Sequence, residues 1–298
     1  MFYYKVADLV FGIEIPGCVN ADETLPNYAS FRITELQKEP VFCLECVPYG
    51  SLNDLTSNTT SPLASGEGEN GAWVVYELPD HYVIDMEYRK GFPQHRLVCD
   101  KMFHHCQTAL MFEDPFGKLM LSELIFFIYA QVCLQHGASL LHSSVAVKDG
   151  IGYAFLGVSG TGKSTHAEQW MKYIPGVERL NDDNPVIRID DDDHRVYIYG
   201  TPWSGKTPCY KNQRALLGGI VKLKQAPYNK VRKLNGMEAY TVLLQSSNLF
   251  KWNRSLQILL GGTLEKVVNQ VPGLFLEDLP NEEAAWLCYN TFQKLAIQ

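Results

Sequence analysis

The chain has 298 residues, 46% hydrophobic and 20% charged, which describes a globular protein of one large or two ordinary domains rather than a disordered or fibrous one. Its formal net charge of −7 argues against a broad surface for nucleic acid or anionic membrane. Eight cysteines are spread from Cys18 to Cys288, and the opening residues MFYYKVADLV lack the basic and apolar regions of a signal peptide, so a cytoplasmic chain with reduced thiols is expected.

Residues 1–112 read as a β-rich N-terminal region. FYYKVADLVFGIEI (2–15), VFCLECV (41–47) and GAWVVYEL (71–78) are dense in aromatic and β-branched residues, with turn residues between them. The same reading makes Cys43 and Cys46 ordinary strand residues rather than half of a zinc site, which needs about four ligands. TSNTTSPLASGEGEN (56–70) has almost no apolar residues and predicts an exposed loop. FEDPFG (112–117) breaks the pattern. A helix is predicted at about 118–136, ended by Gly137, and its core LIFFIYAQVCL (124–134) is too short to span a bilayer, so a buried core helix is expected.

Residues 113–298 read as a second domain of α/β type. SLLHSSVAV (139–147) and GYAFLGV (152–158) predict two strands joined by a KDG turn. The second strand leads into a glycine loop and the helix KSTHAEQWMKYI (163–174). VERLNDDNPVIRI (177–189) and HRVYIYG (194–200) follow, with the acidic run Asp190–Asp193 as the solvated tip of a hairpin between them. LGGIVKLKQA (217–226) predicts a buried strand, and the last sixty or so residues look mainly helical. Strands alternating with helices around a glycine loop are an α/β signature.

Two stretches match the phosphate-loop pattern G-x-x-x-x-G-K-[ST]: Gly157 to Ser164 and Gly200 to Thr207. Such a loop needs glycines that let successive N–H groups point inward, a lysine for the phosphates, and a helix beginning at the Lys-Ser so that its positive end faces the anion. The first match has all three, and makes Gly157, Ser159, Gly160, Thr161, Gly162, Lys163, Ser164 and Thr165 the expected nucleotide-binding residues. The second fails as a cradle. Pro202 has no N–H, Trp203 is bulky where phosphate would approach, and TPCYKNQ shows no helical period. Its Lys206 is instead a candidate for a second phosphate or an acidic group of the substrate.

A magnesium–nucleotide site needs a carboxylate as well as a loop hydroxyl, and a kinase often needs a second carboxylate to accept the proton of the attacking hydroxyl. Asp182 and Asp183, at the end of a predicted strand nineteen residues beyond Lys163, can divide those jobs. His142 sits one strand before the loop, where neighbouring strands end near one crevice.

Together, LHSSVAV, FLGVSGTGKSTHA and LNDDNPVI resemble the superfamily of HPr kinase/phosphorylase and ATP-dependent phosphoenolpyruvate carboxykinase over about residues 140–225. GTPWSGK places the likeness nearer the HPr-kinase-related branch. The resemblance implies an α/β (α+β) domain of the phosphoenolpyruvate-carboxykinase/HPr-kinase type, ATP and Mg2+ as cofactors, and a P-loop kinase acting on a hydroxyl of a small molecule or of a serine in a peptide or protein. By the same likeness Lys163 binds the β- and γ-phosphates, Ser164 ligates magnesium, and Asp182 and Asp183 share metal binding and base catalysis. His142 matches the carboxykinase metal-ligand histidine, and Arg214 is a candidate for transition-state charge. Thr165 stands where HPr kinases usually carry Glu, and no HPr-type protein-substrate loop is found, so the acceptor is left open. A nucleotide-binding regulatory module without turnover and a carboxykinase-type enzyme are the alternative readings. The partners expected are a nucleotide and a hydroxyl-bearing acceptor, with no nucleic acid and no membrane, and a homo-oligomer is compatible with them.

Overall fold

A computed structural model describes the chain apart from residues 37, 54–60, 69–70, 206, 249–251 and 297–298. It is a mixed α/β fold of two compact units, Met1–Val132 with Phe250–Asn253, and Cys133–Leu249 with Arg254–Gln298.

The first unit is built on a sheet of β1 (Phe2–Val6), β2 (Leu9–Glu14), β3 (Arg32–Ile33), β4 (Phe42–Val47), β5 (Ala64–Gly68), β6 (Gly71–Glu77), β7 (His81–Glu87), β8 (Gln94–Asp100) and β9 (His105–Ala109). Their spatial order is β3-β1-β2-β4-β9-β8-β7-β6-β5. The aromatic residues that mark this region in the sequence form its core: the Phe11 ring stacks on Phe42 at 4.8 Å and on Tyr4 at 5.7 Å. A short helix α1 (Ala21–Thr24) is capped by Asn20, and helix α2 (Gly117–Val132) presses Tyr129 edge-on to Phe11 and donates its hydroxyl to Val6 O at 2.9 Å.

Two expectations change here and a third holds. Within 56–70 the described residues 64–68 form β5, the sheet edge. A strand exposed there needs no apolar alternation, which is why Ala, Ser, Gly and Glu gave no strand signal. The helical segment Gly117–His136 is, at 20 residues and mean hydropathy 1.5, long and apolar enough to cross a membrane, contrary to its shorter apolar run. However, 72% of its most apolar window is buried inside the fold, as in a core helix. Cys43 and Cys46 do lie on a strand, and a spacing of three puts them on opposite faces, so they cannot grip one ion. Burial pushes the Cys46 thiol up to about 12.

The second unit comprises β10 (Ala138–Leu140), β11 (Ser143–Lys148), β12 (Ile151–Leu156), α3 (Lys163–Tyr173), β13 (Val177–Asp183), β14 (Val186–Ile189), β15 (Val196–Tyr199), β16 (Arg214–Gln225), β17 (Lys230–Lys233), α4 (Gly236–Ser246), α5 (Arg254–Gln270), β18 (Gly273–Asp278) and α6 (Glu282–Ala296). The strand order is β10-β14-β15-β16-β12-β11-β13, with β18 beside β16 and β17 beside β18. Helices α3 and α6 cover the sheet through Trp170, Ala285, Cys288 and Phe292, which close on Tyr153, Phe155, Val221 and Leu274.

SLLHSSVAV is not one strand. It breaks at Leu141–His142 into β10, which pairs β14, and β11, which pairs β12 and β13. The apolar run carries no mark of this change of partner. The C-terminal part is mainly helical as expected, with one strand among the helices, because GLFLED forms β18, parallel to β16. The Asp190–Asp193 run does turn a hairpin between β14 and β15, with the Asp190 carboxylate accepting from Asp192 N at 3.0 Å and Asp193 N at 3.3 Å.

Candidate functional site

Three neighbouring strands end together. In the antiparallel register Ser143 of β11 lies opposite both Leu156 of β12 and Asp183 of β13. The glycine loop that leaves β12 after Leu156, the aspartate pair that ends β13 and the His142 break before β11 therefore meet at one end of the sheet.

The loop, residues 157–162, runs from a buried strand into α3. Gly160 and Gly162 adopt φ of +81° and +95°, a backbone region that a side chain disfavours, and a Cβ at either would meet nothing, so conformation rather than space calls for glycine. Gly162 is the N-cap of α3 and no side chain caps that end. The first-turn N–H groups thus face outward with the positive end of the helix dipole, an arrangement suited to an anion. Ser159, Ser164 and Thr165 are exposed there, while Thr161 turns inward and donates its hydroxyl to Val158 O at 2.7 Å.

Lys163 is only 9% exposed. Its ammonium donates to Gly157 O at 3.0 Å, to Val158 O at 3.3 Å and to His142 Nε2 at 3.0 Å. Burial pushes its pKa below the ordinary lysine value, and the nearby Asp183 and Asp182 carboxylates oppose that shift. Because an ammonium only donates, Nε2 of His142 is the acceptor of the Lys163 bond, and the other ring nitrogen, Nδ1, lies 2.9 Å from Asp183 Oδ1. The other oxygen of Asp183 accepts from Asn184 Nδ2 at 2.9 Å.

The two aspartates differ in setting. The Asp183 side chain is 32% exposed, whereas that of Asp182 is 6% exposed and lies 3.6 Å from Arg179 Nη1. Arg179 also reaches Glu168 of α3 at 3.2 Å. Arg179 and Asp182 can face each other because β13 carries a bulge between Arg179 and Asn181, opposite Val145/Ala146.

The second glycine–lysine stretch lies against the aspartate turn. Gly205 N donates to Asp182 O at 2.7 Å, and a Cβ at Gly205 would stand 3.2 Å from that same oxygen. The fully buried Asn181 side chain donates to Thr201 Oγ1 at 3.1 Å and to Trp203 O at 3.3 Å, and Thr201 donates its hydroxyl to Asn184 O at 2.7 Å. This stretch therefore braces the turn that carries Asp182 and Asp183. Trp203 is buried, and the described residues 207–213 are irregular, with no helix to aim at an anion. Lys206 lies outside the described residues; its neighbour Gly205 borders the site.

Arg214 departs from its expected role. It begins β16, where Leu216 pairs with Ile151 at the start of β12, whereas the loop leaves the far end, where Leu156 pairs with Lys222. Eight residues of strand at about 3.3 Å each put it roughly 26 Å away along the sheet. There it donates to Asp190 Oδ2 at 2.8 Å and Tyr199 OH at 3.1 Å, with its guanidinium 4.2 Å from the Tyr197 ring centroid.

Several neighbours of the site escaped the sequence reading: Arg179, Asn181, Asn184, Asn248 and Gln225, whose amide donates to Gly160 O at 3.1 Å. Asn181 and Asn184 flank the aspartate pair and were open to suspicion on that ground. Gln225 and Asn248 lie far along the chain and belong to no pattern.

Against known proteins, no family model matches the chain and no curated protein matches its sequence.

Proposed function

We propose that the protein is an ATP- and magnesium-dependent phosphotransferase acting on a hydroxyl group, of the kind found in the HPr-kinase/phosphoenolpyruvate-carboxykinase superfamily, and that it works in the cytoplasm. The observation that supports this reading best is the line Lys163–His142–Asp183, which joins an uncapped helix N-terminus behind a glycine loop to a partly exposed carboxylate. A plain glycine turn has no use for a buried lysine and a carboxylate held at hydrogen-bond distance through a histidine.

In this reading the loop N–H groups and Lys163 bind the β- and γ-phosphates and hold the γ-phosphorus in line with the acceptor. The acceptor oxygen forms a bond to the γ-phosphorus. The bond from phosphorus to the bridging oxygen breaks, and its electron pair stays on ADP. Asp183, the more exposed aspartate, takes the acceptor proton. Asp182 and Ser164 are hard oxygen donors, and magnesium takes one or two carboxylates together with substrate phosphates, so the residues fit that ion. When bound, it would neutralise charge on the β- and γ-oxygens.

Incubation of the purified protein with γ-labelled Mg-ATP and a panel of acceptors (free serine, sugars, serine peptides and HPr-like proteins) tests the proposal. Transfer to any of them supports it. ATP binding with neither transfer nor hydrolysis points to a regulatory nucleotide-binding module instead.

A further inference from the structure

Beyond the residues that face the phosphates lies a chain of carboxamides. Asn248 donates its Nδ2 to Asn184 Oδ1 at 2.9 Å, and Asn184 donates its Nδ2 to Asp183 Oδ2 at 2.9 Å. We infer that Asn248 and Asn184 are positioning residues that set the orientation of the Asp183 carboxylate for phosphoryl transfer, an inference that rests on the function proposed above.

Both ends of this relay are fixed. Asn184 N donates to Asn181 Oδ1 at 3.0 Å and its carbonyl accepts from Thr201 at 2.7 Å, so its backbone cannot swing. Asn248 follows the end of α4, where the chain continues as an extended segment beside β10. His142 N donates to Ser246 O at 2.7 Å, Asn248 N donates to Leu140 O at 3.2 Å, and Leu141 pairs with Ser247. The same short segment therefore anchors Asn248 and the backbone of His142, the residue that holds the other oxygen of Asp183.

The chemistry gives each amide one allowed direction. A carboxylate only accepts, so Asn184 must present its NH2 to Asp183, and a flipped amide would set oxygen against oxygen. Asn248 supports that choice by donating its own NH2 to the Asn184 oxygen on the far side. With His142 Nδ1 2.9 Å from Oδ1 and Asn184 donating to Oδ2, both oxygens of the carboxylate are engaged, and each keeps a lone pair for the acceptor proton. Among the described residues neither asparagine is hydrogen-bonded to the glycine loop, so the relay belongs to the chemical step rather than to ATP binding.

The test uses the full chain with Mg-ATP and water as acceptor, reading released inorganic phosphate, alongside calorimetric Mg-ATP affinity. Asn184→Ala and Asn248→Ala should each lower kcat by about 10- to 100-fold, the loss expected when a reacting group is misplaced by about 1 Å, with Mg-ATP affinity within about twofold of wild type. The double variant should lose no more than Asn184→Ala alone, because the two act as one unit. Asn248→Gln, which keeps a donor, should recover part of the loss, and Asn248→Leu none. Should Asn184→Ala not fold, the three Asn248 variants decide alone. Losses that multiply in the double variant, a parallel fall in affinity, equal losses in Asn248→Gln and Asn248→Leu, or an unchanged kcat would overturn the relay and leave the phosphotransferase reading standing. A wild-type protein that neither hydrolyses ATP nor transfers its phosphate to any acceptor of the panel overturns both.

Discussion

Replacing Lys163 by methionine keeps the length of the side chain and its apolar stem and removes the charge. In the resting protein the ammonium is held by His142 and two loop carbonyls, and to face a phosphate oxygen it must release about two of these bonds. Two unit charges about 4 Å apart attract by about 4 kcal/mol at an effective dielectric of about 20. Giving up two hydrogen bonds costs about 1 kcal/mol each, so the lysine contributes a net ~2 kcal/mol to phosphate binding. At about 1.4 kcal/mol per tenfold, Lys163→Met should weaken Mg-ATP binding roughly 30-fold and remove most turnover. Isothermal titration calorimetry measures the affinity, and circular dichroism and thermal melting establish that the variant is folded. The fold should survive, because the substitution removes a charge whose burial is already unfavourable. An affinity within threefold of wild type in a folded Lys163→Met protein refutes the assignment of this lysine to the phosphates. Loss of binding in Lys206→Ala with binding retained in Lys163→Met would place the nucleotide at the second loop instead.

The aspartates should differ in kind. Asp183→Asn should leave Mg-ATP affinity near wild type and lower turnover by about 10²- to 10⁴-fold, the usual share of a positioned proton acceptor, whereas Asp182→Asn should weaken affinity and turnover together. If both variants keep full activity, the pair is only a turn before Pro185. Turnover should require magnesium or manganese and stop on addition of EDTA; activity that persists in excess EDTA counts against the metal assignment. In the first unit, Arg96 grips Asp85 through Nε at 2.7 Å and Nη2 at 2.8 Å and donates to the carbonyls of Leu52 and Asn53. Asp85→Asn leaves that largely buried guanidinium uncompensated and should destabilise the protein by about 3 kcal/mol in urea unfolding; a loss below about 1 kcal/mol contradicts the account. His95 is fully buried, and burial lowers its pKa from the usual 6.5, against the opposing hydrogen bond that it donates to Asp114. The unfolded chain then takes up the proton more readily than the folded one, so this histidine's contribution is fully present above about pH 6.5 and is lost as pH falls through the depressed folded value. Stability measured between pH 7.5 and 5.5 should fall more steeply in wild type than in His95→Gln, and equal slopes would show that the fold does not lower the pKa of His95.

What the sequence determined by itself was local. Aromatic and β-branched residues marked β1, β2, β4 and β6 of the first unit, because a strand's period is written in the residues it contains. The glycine loop was legible because its needs are local too: an apolar strand before it, glycines where φ is positive, and a helix beginning at Lys163. Pro202 and Trp203 spoke against the second match for equally local reasons. Tertiary structure decided which distant residues meet. The register that sets Ser143 opposite both Leu156 and Asp183 brings histidine, lysine and aspartate together, and no single segment specifies it. The break at His142 was hidden because β10 and β11 are apolar alike and differ only in which strand each pairs with. Arg214 lay close to the motifs in sequence and is carried to the opposite end of the sheet, because β16 runs parallel to β12 and begins at the end away from the loop. Asn248, more than sixty residues from the aspartates, reaches them only because the chain after α4 lies down beside β10. Spacing in sequence fixes what neighbours along one strand or helix can do, while strand order and direction fix which ends share a site.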